Sequence, residues 1–100
     1  MALSANTQTR LNEALTSVVY GQEFAAKIVS RQALSAGCKA HLKAEIGSVR
    51  ASSEIAAAVV SGAPLSLDAK RRLLIAMTKA RAGNELINAI QSVATPNIAL

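Results

Sequence analysis

A chain of 100 residues with a formal net charge of +5 has the size of one compact domain with a single core. Apolar residues make up 51% of the chain and aromatic residues 2%, so the core must be built mainly from Ala, Leu, Ile and Val, which suits closely packed helices. The longest apolar run, around residues 55–60, is too short to span a bilayer, and residues 1–5 lack the charged and apolar regions of a signal peptide. We therefore expect a cytoplasmic protein with no membrane partner.

Three copies of one 31-residue unit follow one another along the chain, and they align without gaps at residues 3–30, 34–61 and 65–92. Of 28 aligned positions, the first and second units share 11, the first and third share 10, and the second and third share nine. About two or three identities would be expected by chance. The positions at which all three units agree are Leu3, Leu34 and Leu65; Ser4, Ser35 and Ser66; Leu11, Leu42 and Leu73; Glu23, Glu54 and Glu85; Ser30, Ser61 and Ser92. The period predicts a single domain over residues 1–100 built from tandem repeats.

Each unit begins with a Leu-Ser pair that marks the start of a helix. A serine oxygen at this point can accept a hydrogen bond from the free N–H groups of the first helical turn, so we predict helix N-caps at Ser4, Ser35 and Ser66. Apolar residues then recur at helical spacing, and a second apolar segment follows in the same unit. In the first unit these residues are Leu11, Ala14, Leu15 and Val18, then Phe24, Ala25 and Ile28. The chain is therefore predicted to be all-α.

The middle of each unit allows two arrangements, because the apolar spacing runs through it almost without a break. Residues with poor helix propensity occur there twice per unit. They are Thr16, Gly47 and Thr78 at one position and Gly21, Ser52 and Gly83 five residues later. We predict a helix-turn-helix hairpin in which Thr16 and Thr78 cap the second helix and the small residues let it approach its neighbour closely. The alternative is a bundle of three long helices of about 25 residues each.

Cys38 and His41 are the residues whose chemistry would suit a metal site or a nucleophile. Their spacing of three places both on one face of a helix. Two ligands do not make a zinc site, however, and neither residue recurs in the other two units. The sequence also shows no phosphate-binding loop, catalytic carboxylate pair or nucleophile elbow. We therefore expect no enzyme activity, no catalytic residue, no cofactor and no metal.

A glutamate and a basic position recur in the units and predict a structural ion pair within each of them. The glutamates are Glu23, Glu54 and Glu85, and the basic column contains Arg10, His41 and Arg72. Such a pair would tie the first helical segment of a unit to the second, and it would contribute less than about 1 kcal/mol if exposed. On this basis, replacing Glu85 by Ala should lower thermal stability more than replacing Glu13.

Positive charge is concentrated in the third unit, which gives one candidate partner-binding surface. The basic residues there are Lys70, Arg71, Arg72, Lys79 and Arg81. They are not interleaved with aromatic residues that could stack on bases. We therefore favour a solvated helix face and keep nucleic-acid binding as the alternative.

Residues 93–100 lack a helical pattern and form a predicted extended tail, in which Pro96 disfavours helical geometry at the preceding residue. A frayed terminus is one interpretation. The other is an apolar arm that binds a partner, with Pro96, Ile98 and Leu100 as the candidate contact residues.

The apolar excess of the chain predicts contact with other subunits. With a mean hydropathy of +0.29, a monomer of short helices would leave part of its Ala, Val, Ile and Leu exposed, and contiguous exposed apolar patches mark contact sites. The outer repeats of a tandem array also need a neighbour to cover them. We expect a homo-oligomer or a subunit of a larger assembly.

The pattern L-S-x-x-x-x-x-R-L-x-x-A-[LM]-T-x-x-x-x-G-x-E, at residues 3–23 and 65–85, resembles a helical motif of small virion proteins of tailed bacteriophages. The second unit departs from it at His41, Glu45, Gly47 and Ser52. The resemblance implies a virion component, assembled in the host cytoplasm, that binds other capsid or tail proteins. A capsid decoration or cement protein, a head fibre and a tail protein are all consistent with it. The alternative function is a small basic nucleic-acid-binding adaptor.

Overall fold

The computed structural model describes residues 3–91, which fold into three helical hairpins. The helices are α1 (Ala5–Ala14), α2 (Val18–Ser30), α3 (Ala36–Ile46), α4 (Val49–Ser61), α5 (Leu67–Met77) and α6 (Ala80–Ile90). Each sequence unit contributes one hairpin, so the all-α prediction and the preference for hairpins are confirmed, and the alternative of three long helices is wrong. Within the described range, no helix combines the length and the apolar character needed to cross a membrane.

The break between the two helices of each hairpin is a residue in the left-handed conformation. Thr16, Gly47 and Thr78 have φ angles of 53°, 73° and 58°, and this geometry ends the first helix of each unit. The two threonine hydroxyls each donate to the carbonyl of the preceding residue at 2.6 Å. The prediction that Thr16 and Thr78 cap the second helix is therefore wrong by one position. A cap needs extended geometry, which the chain reaches only at the next residue, Ser17, Ser48 or Lys79.

The predicted N-caps of the first helices are confirmed. The hydroxyl oxygens of Ser4, Ser35 and Ser66 each accept from the backbone N–H three residues later, at 3.2 Å in every unit. Because all three serines have extended backbone geometry, the start of α1, α3 and α5 is the same structure repeated three times.

The three hairpins form a closed ring. Helix α2 packs on α3 of the next unit, α4 packs on α5, and α6 returns to pack on α1. A head-to-tail contact that returns to its starting unit generates a ring with approximate cyclic symmetry, here threefold. The first unit therefore covers the open side of the third. This removes one reason for expecting oligomerisation, because a closed ring has no uncovered outer repeat.

The core of the ring is built from equivalent residues of the three units. Phe24, Ile55 and Leu86 occupy the same repeat position, and each has an exposed fraction of 0%. The invariant leucines of the first helices, Leu11, Leu42 and Leu73, are buried beside them. Large apolar residues also remain on the surface, and they are Val18, Val19, Val29, Val49, Val60, Leu67 and Ile75.

One end of the ring is closed by the side chain of Arg31, the left-handed residue that ends α2. Its guanidinium donates to Ala89 O at 3.0 Å and Ile90 O at 2.7 Å in the last turn of α6. It also donates to Ala58 O at 3.4 Å and Val59 O at 3.2 Å in the last turns of α4. The carboxyl ends of α2, α4 and α6 therefore meet around one positive charge, which is the charge that helix carboxyl ends attract.

Candidate partner-binding groove

The glutamates that recur in all three units join neighbouring units. Glu23 accepts from the backbone N–H of Ser35 at 2.8 Å and from its hydroxyl at 3.0 Å. Glu54 makes the same pair of bonds with Ser66, and Glu85 makes it with Ser4 at 2.9 Å each, which closes the ring. Each carboxylate thus lies at the amino end of the next unit's first helix, where free N–H groups and the helix dipole favour a negative charge.

The prediction of an ion pair within each unit is therefore wrong. His41 Nδ1 lies 2.9 Å from Leu15 O, and Arg72 donates to Ile46 O at 3.3 Å, so these two side chains reach the carboxyl end of the preceding unit's first helix. Arg10 is half-buried at the equivalent position. Within residues 3–91 the recorded ion pair is Arg72 Nε to Asp68 Oδ2 at 3.1 Å. Glu23, Glu54 and Glu85 thus bind the amino ends of helices in the next unit, whereas His41 and Arg72 bind the carboxyl ends of helices in the preceding unit.

Glu85→Ala is still expected to lower stability, but the reason is now the loss of the hydrogen bonds between Glu85 and Ser4. Hydrogen bonds from the Thr7 hydroxyl and the Ser4 backbone hold the pKa of the Glu85 carboxyl below its usual range. We expect Glu85→Ala to lower the free energy of unfolding by about 1 kcal/mol, the usual contribution of an N-cap, and the melting temperature by about 4–8 °C. Glu13→Ala, at an exposed position on α1, should leave the melting temperature within about 1–2 °C.

The pH dependence provides the control. Because the folded-state pKa of Glu85 is depressed, its stabilisation is fully present above the unfolded pKa and is lost as the pH falls through the lower, folded value. Thermal melts of the two variants should therefore converge in acid and differ at neutral pH. Equal melting temperatures at pH 7 would contradict the capping role.

Cys38 and His41 do not form a pair. The Cys38 thiol is buried and points to Tyr20 O at 3.6 Å, whereas the His41 ring packs against the Tyr20 ring with centroids 4.7 Å apart. Both residues therefore serve the packing between the first and second units. Among the described residues, no three His, Cys, Asp or Glu side chains lie together in a way that could hold a metal ion.

Burial makes the Cys38 thiol a poor nucleophile. Desolvation, followed by the nearby Glu23 carboxylate, raises the pKa of Cys38 to about 11 from 9.0. We expect its alkylation by iodoacetamide at pH 8 to be at least about a hundredfold slower in the folded protein than in guanidinium, because each pKa unit lowers the thiolate fraction tenfold. Mass spectrometry of timed samples would measure this, and rapid labelling of the folded chain would show that the thiol is accessible.

The basic residues of the third unit have different environments. Arg72 is engaged with Asp68 and a carbonyl, and Arg81 lies close enough to Glu85 to help depress its pKa. Lys70 is half-buried, while Arg71 and Lys79 are exposed. Of the five predicted contact residues, Arg72 therefore joins the third unit to the second. Pro96, Ile98 and Leu100 lie outside the described residues.

A groove between α3 and α4 is a surface feature that sequence reasoning missed. Its volume is about 560 Å³. Its lining consists of Ala33, Leu34, Ala36, Lys39, Ala40 and Lys43 on one side and Val49, Ser52, Ser53, Ala56, Ala57 and Val60 on the other. We call it the α3–α4 groove.

The second hairpin differs from the other two at the pair of positions where their helices meet. In the first, a Cβ on Gly21 would lie 2.7 Å from the Cα of Asn12, so α1 and α2 are in direct contact. In the third, a Cβ on Gly83 would lie 2.6 Å from the Cδ2 of Leu74. The second hairpin has Ser52 in place of the glycine, and an exposed Lys43 in place of the half-buried Asn or Leu. Both residues line the α3–α4 groove.

The floor of the α3–α4 groove is suited to apolar contact. The Ser52 hydroxyl donates to Val49 O at 3.0 Å within its own helix, and in the described part of the chain every buried side-chain polar atom has a partner. Val49 and Val60 stand at the two ends of α4 with exposed fractions of 65% and 45%. The groove thus offers a mostly apolar surface whose buried hydroxyl, that of Ser52, already has a partner.

Searches with the whole chain against protein-family models, curated proteins and solved structures find no match.

Proposed function

We propose that this chain is a non-enzymatic interaction protein, a subunit of a larger assembly that binds another protein through the α3–α4 groove. The observation that carries the proposal is the exposed apolar groove itself. Large exposed apolar surface is costly in a monomer and marks sites where another surface docks. Its lining belongs to helices fixed in a closed ring, so the surface is preorganised for binding.

The assembly that we propose is a virion of a tailed bacteriophage, in which the chain would serve as a capsid decoration, head-fibre or tail protein. The support is the resemblance of residues 3–23 and 65–85 to a helical motif of small virion proteins. The motif residues Leu11, Leu73, Glu23 and Glu85 form the core and the ring contacts, whereas the groove lies in the unit that departs from the motif. In this proposal the motif maintains the fold and the divergent second unit recognises the partner.

A pair of matched variants tests the proposal in native material. Ala57→Arg places a long charged side chain on the groove wall, while Ala26→Arg makes the same change at the equivalent exposed position of the first hairpin. Density-gradient sedimentation should find the wild-type chain and Ala26→Arg with the particles and Ala57→Arg in the free fraction. Circular dichroism must show equal melting temperatures for the two variants.

Two results would contradict the assembly proposal, and a third would favour the alternative function. A wild-type chain that sediments as a free monomer would contradict the assembly proposal, as would Ala57→Arg remaining with the particles. Co-sedimentation with nucleic acid that is lost steeply as salt rises would favour the nucleic-acid adaptor instead.

A further inference from the structure

We propose that the occupant of the α3–α4 groove is an amphipathic α-helix of the partner protein, with a small apolar face on the groove floor and carboxylates that pair with Lys39 and Lys43. This inference rests on the function proposed above and specifies the chemistry of the partner.

The dimensions of the groove match three turns of helix. Its α4 wall runs from Val49 to Val60, about 16 Å at 1.5 Å per residue. More than half of the lining residues of the groove are Ala or Ser with small side chains, and they include Ala36, Ala40, Ser52, Ser53, Ala56 and Ala57. Small side chains let a third helix approach to the short end of the usual 8–10 Å axial distance. The two valines would then contact its ends.

The polar groups of the groove favour a helix over an extended peptide. An extended segment would bring its own N–H and C=O groups against a lining made mainly of Ala, Val and Leu, in which the buried Ser52 hydroxyl already donates to Val49 O, and each unpaired group would cost free energy. A helix satisfies its backbone internally and presents only side chains. Among residues 3–91 the ordered elements are helices, so a bound strand would find no sheet edge to extend.

The charge of the groove specifies acidic residues on that helix. Its lining carries Lys39 and Lys43, both exposed and one turn apart on α3, and the lining residues include no carboxylate. The α4 wall presents Val, Ser and Ala in the same region. Two acidic residues one turn apart on the partner helix would therefore meet both lysines, which also fixes which side of that helix faces α3.

Charge reversal in the full chain tests this inference. Lys39→Glu/Lys43→Glu reverses the groove charge, while Lys70→Glu/Arg71→Glu lowers the net charge from +5 by the same amount on the third hairpin. We expect the groove pair to weaken particle association by about tenfold or more, and the third-hairpin pair to change it by less than about twofold. Because Lys43 lies in the last turn of α3, Lys39→Ala/Lys43→Ala is included as a variant that preserves helix propensity.

The outcomes separate the two proposals. If Ala57→Arg releases the chain but neither groove pair weakens its association, the acidic-helix inference fails and the proposed function stands. Equal losses from the groove pair and the third-hairpin pair would also overturn the inference, because only net charge would matter. If Ala57→Arg itself has no effect, the proposed function fails. Raising the salt concentration should weaken wild-type association and leave the Ala pair less affected, since exposed ion pairs are screened.

Discussion

Replacing Arg31 by Met should lower the free energy of unfolding by about 3 kcal/mol, the largest loss that we expect from any single surface substitution in this chain. The guanidinium bonds the carbonyls of Ala89 and Ile90 at 3.0 and 2.7 Å, and it also reaches two carbonyls of α4. Hydrogen bonds to a charged group contribute about 1.5–3 kcal/mol each, and their loss leaves helix carboxyl ends facing one another without a positive charge.

The choice of variants isolates that charge. Met retains the length and much of the apolar stem of Arg, and it meets the same left-handed backbone, so backbone strain is nearly unchanged between the two proteins. Arg50→Met removes an exposed arginine from α4 and should change the free energy of unfolding by less than about 0.5 kcal/mol. Arg31→Lys should fall between them, because one ammonium has fewer donors and cannot span two helix ends as the planar guanidinium does.

Chemical denaturation in urea gives the measurement, with the slope of the transition as a check that the unfolded state is unchanged. A second variant, Arg31→Gly, relieves the left-handed strain and should be about 1 kcal/mol more stable than Arg31→Met. If Arg31→Met proves as stable as Arg50→Met, the contacts of Arg31 contribute nothing to the stability of the ring.

The hairpins and their first caps could be predicted because the signals are local. A serine before a helical pattern has a free N–H within three residues, so Ser4, Ser35 and Ser66 can be assigned from the sequence alone. The second caps were misplaced by one residue because Thr16 and Thr78 are cap-forming types whose actual role is to turn the chain with positive φ. Composition does not distinguish a threonine in that geometry from a capping one.

The ring contacts could not be predicted in the same way, because they join residues far apart in sequence. The invariance of Glu85 and Ser4 indicated that both matter, but their separation along the chain hides that they are partners. Arg31 lies in a turn outside the aligned repeat, and its equivalent in the second unit is Gly62. One side chain fills the space where three helix ends meet. The position that matters most for closing the ring is therefore one that the repeat does not conserve.

The sequence contains a signal for the α3–α4 groove, but it lies at positions where the three units differ and not where they agree. The second unit replaces the small glycine with Ser52 and the packed residue opposite it with Lys43. Taken alone, each change is typical of a neutral substitution at a polar position. Together they change both residues of the position pair at which α1 meets α2 and α5 meets α6, and both line the groove.

The different contacts at this repeat position predict a graded response to placing alanine there in each unit. In Gly21→Ala the new Cβ would lie 2.7 Å from the Cα of Asn12, which is backbone and cannot move without separating α1 from α2. The Asn12 side chain is itself held by Gln8 at 2.9 Å. After a gain of about 1 kcal/mol from helix propensity, we expect a net loss of about 2 kcal/mol.

The other two units should respond less. In Gly83→Ala the nearest atom is the mobile Cδ2 of Leu74 at 2.6 Å, with the Cα at 3.2 Å, so the leucine can turn and the net change should lie within about 1 kcal/mol of zero. Ser52→Ala removes a hydroxyl that bonds only within α4, adds no atom, and should be neutral or stabilising by up to about 0.5 kcal/mol.

Urea denaturation of the three variants under one set of conditions measures the order directly. The expected ranking, with Gly21→Ala the least stable and Ser52→Ala the most stable relative to its parent, follows from how closely the two helices of each hairpin approach. Because Ser52→Ala adds no atom, a loss as large as that for Gly21→Ala could not come from a clash and would mean that the Ser52 hydroxyl is packed tightly between α3 and α4. The groove would then be closed at Ser52 in solution, and a partner helix could not dock there.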